Sequence, residues 1–275
     1  MARRQRKRRD ASDGQWAAIG IILLCVAVAA FGGLAYFKFS RPQKPVLDRA
    51  SLCPTSGPAG ITVVLVDTTD NLPETTKREV RQFLNDLIIE LPEYHRLDIR
   101  VLDAANAKSH SLFSRCNPGD GAGLSEWIDN PVIARKRWIE GFRKPAEEAM
   151  GYSLRFDRAT ATPLMAAIQD IAIDQFSAAN VRGIPKSLII ISDMLEHTRD
   201  YSQYPGAGEL SYERFKRSPA YLKFRTDLHG ARVTIGYVRR LGVKIDTKRH
   251  PIFWQEWIVD NRGTVERVRS LQGAE

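Results

Sequence analysis

Between Asp13 and Lys38 the chain has 24 consecutive residues without a charged side chain. Within this stretch, residues 16–37 form an apolar run of 22 residues, which as an α-helix would span about 33 Å against a hydrocarbon core of about 30 Å. We therefore expect residues 16–37 to be a transmembrane helix, with Trp16 and Tyr36 at its two interfaces. A cleaved signal peptide is the alternative, but its apolar region is usually only ~7–15 residues long.

Positive charge is concentrated on both sides of this apolar run. Residues 1–15 form a basic tail with six Lys and Arg side chains, and four more follow between residues 38 and 49. The more basic flank of a membrane span usually stays in the cytoplasm. We therefore expect a single-pass protein whose N-terminus is cytoplasmic and whose C-terminal part is periplasmic or otherwise extracytoplasmic.

The rest of the chain is nearly neutral, which argues against a nucleic-acid-binding protein. The net charge is +9, but residues 50–275 hold 31 basic and 29 acidic side chains. Nucleic acids are bound by cations clustered on a folded surface, whereas the excess here lies on the tail. We expect no nucleic-acid partner, and a membrane contact through residues 16–37.

A Pro-rich stretch separates the apolar run from the rest of the chain. Residues 38–60 contain four prolines with Ser and Gly between them, which predicts an extended linker. Residues 61–272 show no internal repeat and no second linker. We expect them to form one folded domain.

Strand and helix patterns alternate along this domain. The apolar runs 61–66 and 187–191 are typical of strands buried on both faces of a parallel sheet, and residues 73–90 and 163–176 have apolar side chains at helical spacing. The same patterns predict further strands over 97–102, 232–238 and 265–268, and helices over 131–150, within 212–228 and over 252–260. We predict an α/β, Rossmann-like fold with a mostly parallel central sheet flanked by helices, preceded by one transmembrane helix.

The 29 residues between Leu102 and Val132 form a stretch that is too long for an ordinary connection between two elements. We expect a special insertion there. It contains a turn-rich segment around Cys116, with three glycines between Gly119 and Gly123.

Three cysteines occur, and Cys25 lies within the apolar run. Cys53 and Cys116 both flank Pro- and Gly-rich segments of the part that we expect to be exported. In an oxidising compartment they are expected to form a disulfide that closes a loop of about 60 residues. Two unpaired buried thiols are the alternative.

Polar residues follow both buried strands at the point where each strand ends. Residues 67–71, Asp-Thr-Thr-Asp-Asn, follow the first strand, and Ser192 and Asp193 follow the run 187–191. A third polar cluster, residues 160–162, opens a helix. Ligands of open α/β sheets collect beyond the carboxyl ends of the strands, so these clusters are the candidate site.

Together these segments resemble the von Willebrand factor A-like (VWA-like) domain over most of residues 60–270 in element order. The metal-ion-dependent adhesion site of that family uses Asp-x-Ser-x-Ser after the first strand, a Thr on a later loop and an Asp after the fourth strand. In this chain Asp67 matches the first carboxylate, Thr69 the first hydroxyl, Thr162 the loop threonine and Asp193 the last carboxylate.

Two positions differ from the family pattern. Asn71 stands where the second serine belongs, and Met194 replaces the glycine that commonly follows the final aspartate. Asn71 still offers a carbonyl oxygen, so the predicted set is two carboxylates with hydroxyl and amide oxygens, which is typical of Mg²⁺. The alternative is a metal-free relative in which Asp67 caps a helix and Asp193 caps a turn.

The resemblance implies a binding or scaffold module rather than an enzyme, with no catalytic residues. The expected partner is an envelope or secreted protein that supplies a carboxylate as the last ligand of the metal. One alternative function is a Mg²⁺-dependent phosphohydrolase with Asp67 as its nucleophile, although Thr69 then occupies the position of the usual second Asp. The other is a purely structural VWA-like protein without a metal.

The uncleaved span and the charge bias predict that a phosphatase reporter fused at residue 275 is exported and active. Replacing the six Lys and Arg residues of the tail with Gln should lower that activity, because the bias that orients the helix is removed. Intact mass should show that the tail is retained. An active cytoplasmic reporter at the same position, or a protein without residues 1–15, would show that the predicted topology is wrong.

Overall fold

The computed structural model of the chain describes residues 6–39, 44–69, 71–122, 130–155, 159–204, 210–239 and 245–271. The chain divides into two units, Met1–Pro45 and Val46–Glu275. The first contains the apolar run, and the second contains the α/β domain.

The first unit is a single long helix, α1, which extends over Arg6–Phe39. Within α1, Ala18–Tyr36 has a mean hydropathy of 2.6 and is the one stretch among the described residues that is long and apolar enough to cross a membrane. None of this stretch is buried, and Ile21 and Phe31 are 63% and 75% exposed. A helix that is apolar on all sides is typical of a membrane span, so this unit has the features of a single-pass anchor.

The strands of the second unit are β1 Gly60–Val66, β2 His95–Asp103, β3 Lys108–Cys116, β4 Lys186–Ser192, β5 Arg232–Val238 and β6 Thr264–Leu271. In the described part of the chain they form one sheet in the order β3-β2-β1-β4-β5-β6. β3 pairs antiparallel with β2, and the other neighbouring strands are parallel. The α/β fold with a mostly parallel sheet that the sequence predicts is therefore confirmed.

The helices of this unit are α2 Glu74–Glu90, α3 Pro131–Arg137, α4 Lys144–Ser153, α5 Leu164–Ile171, α6 Tyr212–Lys216, α7 Pro219–Lys223 and α8 Arg249–Asp260. A π-helical segment, Trp138–Arg143, joins α3 to α4, and a second one, Ala172–Phe176, continues α5. The predicted helices over 131–150 and 163–176 are therefore present, each with a π-helical part. The helix predicted within 212–228 is two short helices, α6 and α7.

The sheet buries side chains on two faces. On the face that we call the front face, Val63 and Leu65 pack in one core with residues of α5 to α8. On the opposite, back face, Val64 and Val66 pack in a second core with residues of α2 and α4. Successive side chains of a strand point to opposite faces, so a strand covered on both sides needs the continuous apolar run that β1 has.

The segment that we expected to be an insertion contains a strand that the sequence patterns do not predict. β3 forms a hairpin with β2 at the edge of the sheet, and most of its side chains are polar and at least partly exposed. Phe113 and Cys116 are its buried residues. An edge strand with one solvated side lacks the long apolar run that identifies a central strand. Residues 123–129 lie outside the described part of the chain.

Part of the predicted linker makes specific contacts with the domain. Leu47 forms an isolated antiparallel bridge with Pro54, and Leu52 is buried in the back-face core. The backbone N–H of Cys116 donates a hydrogen bond to the carbonyl oxygen of Ser51 at 2.8 Å. The chain is therefore already attached to the domain before β1 begins.

The predicted disulfide joins this attached stretch to the end of β3. Cys53 and Cys116 form the bond, with a Cα–Cα distance of 4.7 Å and a sequence separation of 63. Both side chains are buried, whereas Cys25 on α1 is a free, exposed cysteine. The disulfide holds the edge hairpin against the stretch that precedes β1.

Replacing both Cys53 and Cys116 with Ser should lower the free energy of unfolding of the domain by about 3–5 kcal/mol, because the unfolded chain loses a long closed loop. Denaturant unfolding of the full chain in a nonionic detergent, followed by tryptophan fluorescence, measures this change. Cys25→Ser is the matched control and should leave the transition in place. Equal denaturant midpoints for the double variant and the wild type would contradict the prediction.

Candidate functional site

The pairing of β1 with β4 places the first candidate residue at the carboxyl end of the sheet. Val66 lies opposite Ile191 in the parallel ladder, and the N–H of Asp67 continues that ladder by donating to the carbonyl oxygen of Ile191 at 2.9 Å. Asp67 is only 6% exposed. Its carboxylate therefore lies in the layer of side chains just beyond the strand ends.

Three donors surround the carboxylate of Asp67. The backbone N–H and the hydroxyl of Thr69 donate to its Oδ1 at 3.0 and 2.7 Å, and the hydroxyl of Ser192 donates to its Oδ2 at 2.8 Å. An ionised carboxylate can accept about four hydrogen bonds. These contacts fix the orientation of Asp67 and leave room for about one more ligand.

Thr162 brings the third polar loop to the same place. Its Oγ1 lies 3.1 Å from Oγ1 of Thr69, and it is 7% exposed. Its backbone is held by two hydrogen bonds with His197, at 2.8 and 3.0 Å. Since the hydroxyl proton of Thr69 goes to Asp67, Thr162 is the donor in the pair, and both threonine oxygens keep lone pairs for a cation.

The spacing of these oxygens suits a small, hard cation. Neighbouring ligands of an octahedral Mg²⁺ at about 2.1 Å from the ion lie about 3.0 Å apart. The contacts between Asp67, Thr69 and Thr162 are 2.7 and 3.1 Å. In the described part of the chain no group of three or more His, Cys, Asp or Glu side chains is arranged to hold a metal, so a cation here would depend on hydroxyl oxygens and water as much as on carboxylates.

Asn71 and Asp193 are the two other predicted ligands. Asn71 is exposed, and Asp70 lies outside the described residues. Oδ1 of Asp193 accepts a hydrogen bond from the N–H of Leu195 at 2.9 Å. Burial and then the charge of Asp193 raise the pKa of Tyr237 to about 12, so Asp193 lies close to that phenol at the end of β5.

Met194 has a backbone conformation for which glycine is favoured. Its φ is 62°, in the left-handed region where most side chains are strained by about 1–2 kcal/mol. Its N–H donates to the hydroxyl of Ser192 at 2.8 Å, and its side chain is fully buried in the front-face core. Burial of the thioether side chain offsets the backbone strain, so the loop keeps the conformation that a glycine would adopt.

Glu196 is a buried acidic residue in the loop after β4. Its side chain is fully buried, and Oε2 accepts a hydrogen bond from the N–H of Met165 in the first turn of α5 at 2.8 Å. Oε1 has no hydrogen-bond partner. Burial raises the pKa of Glu196 to about 8, and the negative charge of Asp67 adds to this rise. Glu196 therefore caps α5 from a distant loop and lies close enough to Asp67 to interact with its charge.

A network of buried polar side chains supports the loop after β4. Oε1 of Gln203 accepts a hydrogen bond from the N–H of Glu196 at 3.0 Å and lies 3.1 Å from Nε2 of His250. The indole N–H of Trp254 donates to the carbonyl oxygen of Met194 at 2.7 Å. Burial lowers the pKa of His250 to about 4, so its ring is neutral at pH 7. Contacts with His250 and Trp254 of α8 therefore stabilise the loop after β4.

Ser192 and Glu196 are site residues that the sequence analysis did not assign. A hydroxyl at the last position of a buried strand, next to Asp193, is a usable signal for Ser192. Glu196 lies in a polar stretch after β4, and its burial depends on α5 packing over it. No local pattern indicates that contact.

A groove of about 660 Å³ lies beside the threonines. Thr68 and Thr69 line one side of it, and Leu112, Tyr152 and Arg155 line others. The guanidinium of Arg155 lies 4.1 Å from the centre of the Tyr152 ring. The groove gives the candidate site an approach that is partly apolar and partly charged, with both Arg155 and Asp103 in its lining.

Glu196→Gln should change how stability depends on pH. The folded protein keeps a proton on Glu196 up to about pH 8, whereas the unfolded chain releases it above its ordinary pKa of 4.5. Stability therefore falls as the pH rises through this window, by up to about 1.4 kcal/mol per pH unit. The advantage of the variant over the wild type should grow between pH 5 and pH 8.

Denaturant unfolding in EDTA at several pH values measures this difference without a bound cation. Glu213→Gln, an exposed acid on α6, is the matched control and should follow the wild type. Parallel pH profiles for Glu196→Gln and the wild type would show that Glu196 is ionised in the folded protein.

No protein-family model and no curated protein matches the chain. Similar solved structures include BatB, a conserved hypothetical protein from Bacteroides thetaiotaomicron, at 15% identity and a TM-score of 0.37 over 76% of this chain and 90% of that chain. A von Willebrand factor type A protein from Catenulispora acidiphila has 15% identity and a TM-score of 0.42, over 79% of this chain and 40% of that chain. An aerotolerance-related membrane protein from Bacteroides fragilis, with multiple mutations to serines, has 12% identity and a TM-score of 0.34, over 76% of this chain and 90% of that chain.

The architecture that the sequence predicts is confirmed. The chain has the mostly parallel sheet flanked by helices, with Asp67 directly after β1 and Asp193 directly after β4. The second unit is therefore an α/β domain of the predicted architecture, and it follows the apolar helix in the sequence.

Proposed function

We propose that this chain is a membrane-anchored VWA-like binding module that holds Mg²⁺ at the carboxyl end of its sheet and captures a partner protein there. The observation that carries the proposal is the convergence of three loops on one carboxylate. Oxygens of Thr69 and Ser192 lie within 2.8 Å of the Asp67 carboxylate, and Thr162 reaches Thr69 at 3.1 Å. Such a concentration of buried oxygen atoms is suited to a hard cation.

The proposed ligands are oxygens of Asp67, Thr69 and Thr162, with Asp193 on the neighbouring loop. Thr69 contacts both Asp67 and Thr162, and Asp67 is the only carboxylate of these three residues. The ion would therefore keep much of its positive charge. A cation with few anionic ligands is a good acceptor for a further carboxylate, which is the basis of the proposed capture. When bound, the ion supplies a fixed positive charge, and the chain's own residues position it.

The proposed partner is an envelope or secreted protein with an exposed acidic side chain. The groove beside Thr69 contains Arg155, His110 and Asp103 next to apolar side chains such as Leu112. An acidic side chain that reaches the ion would place its neighbours in this groove, where Arg155 would pair with an acidic residue and Leu112 would contact an apolar one. The proposal places the domain outside the cytoplasm, as the distribution of charge around the apolar helix favours.

Mg²⁺ binding by the full chain in a nonionic detergent tests the proposal directly. The wild type should bind Mg²⁺ with one saturable site in calorimetric titration. Asp67→Asn should weaken this binding at least about tenfold, because Asn keeps the shape and an accepting oxygen but loses the charge. Asp86→Asn, an exposed position on α2, is the matched control.

Two results would overturn the proposal. The absence of saturable Mg²⁺ binding would favour the metal-free structural protein, and unchanged affinity in Asp67→Asn would place the ion elsewhere. The phosphohydrolase alternative is tested on the same proteins with para-nitrophenyl phosphate. Mg²⁺-dependent turnover that disappears in Asp67→Asn would favour the enzyme over the binding module.

A further inference from the structure

A second polar cavity lies at the amino end of the sheet, opposite the end that carries Asp67. Its volume is about 420 Å³, and it is bounded by the segment after α5, the first residue of β4 and the turn before β5. Phe176, Arg182, Lys186, His229 and Arg262 contribute to its walls. None of these residues takes part in the proposed metal site.

Lys186 is the unusual residue in this cavity. It is the first residue of β4 and is only 7% exposed. Its Nζ donates one long hydrogen bond, to the carbonyl oxygen of Ile184 at 3.3 Å, and no carboxylate in the described part of the chain forms an ion pair with it. Burying an ammonium group without a negative partner is unfavourable, so a bound anion would stabilise it.

The rim of the cavity adds further positive charge. Arg182 and Arg262 are exposed, and His229 lies beside them. The one acid in the lining, Asp227, pairs with Arg262 and lies 3.6 Å from His229. Lys186 and Arg182 form no ion pair with a carboxylate among the described residues, so the lining of the cavity has a net positive charge. Lys186 provides hydrogen-bond donors in its buried part, and Arg182 provides donors at its exposed rim.

We propose that this cavity binds a phosphate-bearing anion, with Lys186 contacting the phosphate and Arg182 at the rim providing a second cationic contact. A phosphate group supplies close to two negative charges and several acceptor oxygens. Lys recognises it as a point charge, and the forked guanidinium of Arg binds two of its oxygens at once. A carboxylate offers one charge and two oxygens, which matches this set of donors less well.

Two sources share this chemistry, namely soluble phosphate compounds and the phosphate headgroup of a lipid. Both would place their phosphate on Lys186, so the proposed residues are the same for each. The cavity and the candidate metal site lie at opposite ends of β4. The inference is therefore independent of Mg²⁺ binding, and either can fail without the other.

The test measures the thermal unfolding midpoint of the full chain in a nonionic detergent at constant ionic strength. Inorganic phosphate and dihexanoyl phosphatidic acid are titrated separately against sodium chloride. At least one of them should raise the midpoint with saturation. Lys186→Met, which keeps the apolar stem of the side chain, should raise the dissociation constant at least about tenfold, and Lys216→Met on α6 should leave it unchanged.

Lys186→Met should fold, because the variant removes an unpaired buried charge. Arg182→Gln is a second variant at an exposed position and should weaken binding by a smaller factor. A tighter response to the lipid identifies a headgroup site, and a tighter response to phosphate identifies a site for soluble phosphates. No saturable response to either probe, or the same response in Lys186→Met, would overturn the proposal.

Discussion

Val66 at the end of β1 lies opposite Ile191 in β4, and this parallel register determines which side chains meet at the carboxyl end of the sheet. It places Asp67 beside Ser192, whose hydroxyl donates to the carboxylate at 2.8 Å. A shift of one residue would turn Asp67 toward the opposite face, because successive side chains alternate. In this register the side chains of β1 and β4 pack into both cores, so the core and the candidate site depend on the same pairing.

The loops that complete the candidate site are stabilised by buried polar contacts as well as by apolar packing. Glu196 accepts from the first turn of α5, Gln203 accepts from the N–H of Glu196 and contacts His250, and Trp254 donates to the carbonyl oxygen of Met194. Buried polar groups are unfavourable unless they are paired, so these contacts limit the conformations that the loop after β4 can adopt. A site built on such a loop is positioned before any ligand arrives.

The sequence predicts those features that depend on local patterns. β1 and β4 are continuous apolar runs, and Asp67 is the first polar residue after one of them, so strand, strand end and candidate ligand follow from a few neighbouring residues. β3 cannot be predicted in this way, because an edge strand with exposed polar side chains has no distinctive apolar run. The burial of Glu196 cannot be predicted locally either, since it results from packing against α5, which begins 32 residues earlier in the chain. Contacts between distant segments are the part that a single sequence does not reveal.

The length of β1 separates the two ends of the sheet. Its seven residues at about 3.3 Å each place Gly60 about 23 Å from Asp67 along the strand, and the stretch attached through Cys53 precedes Gly60 in the chain. A parallel strand buried on both faces is stiff, so the amino end and the carboxyl end of the sheet keep a fixed distance. The attachment before β1 and the buried Lys186 belong to one end, and the oxygens around Asp67 to the other. Ligands bound at the two proposed sites would therefore act on different loops of the same sheet.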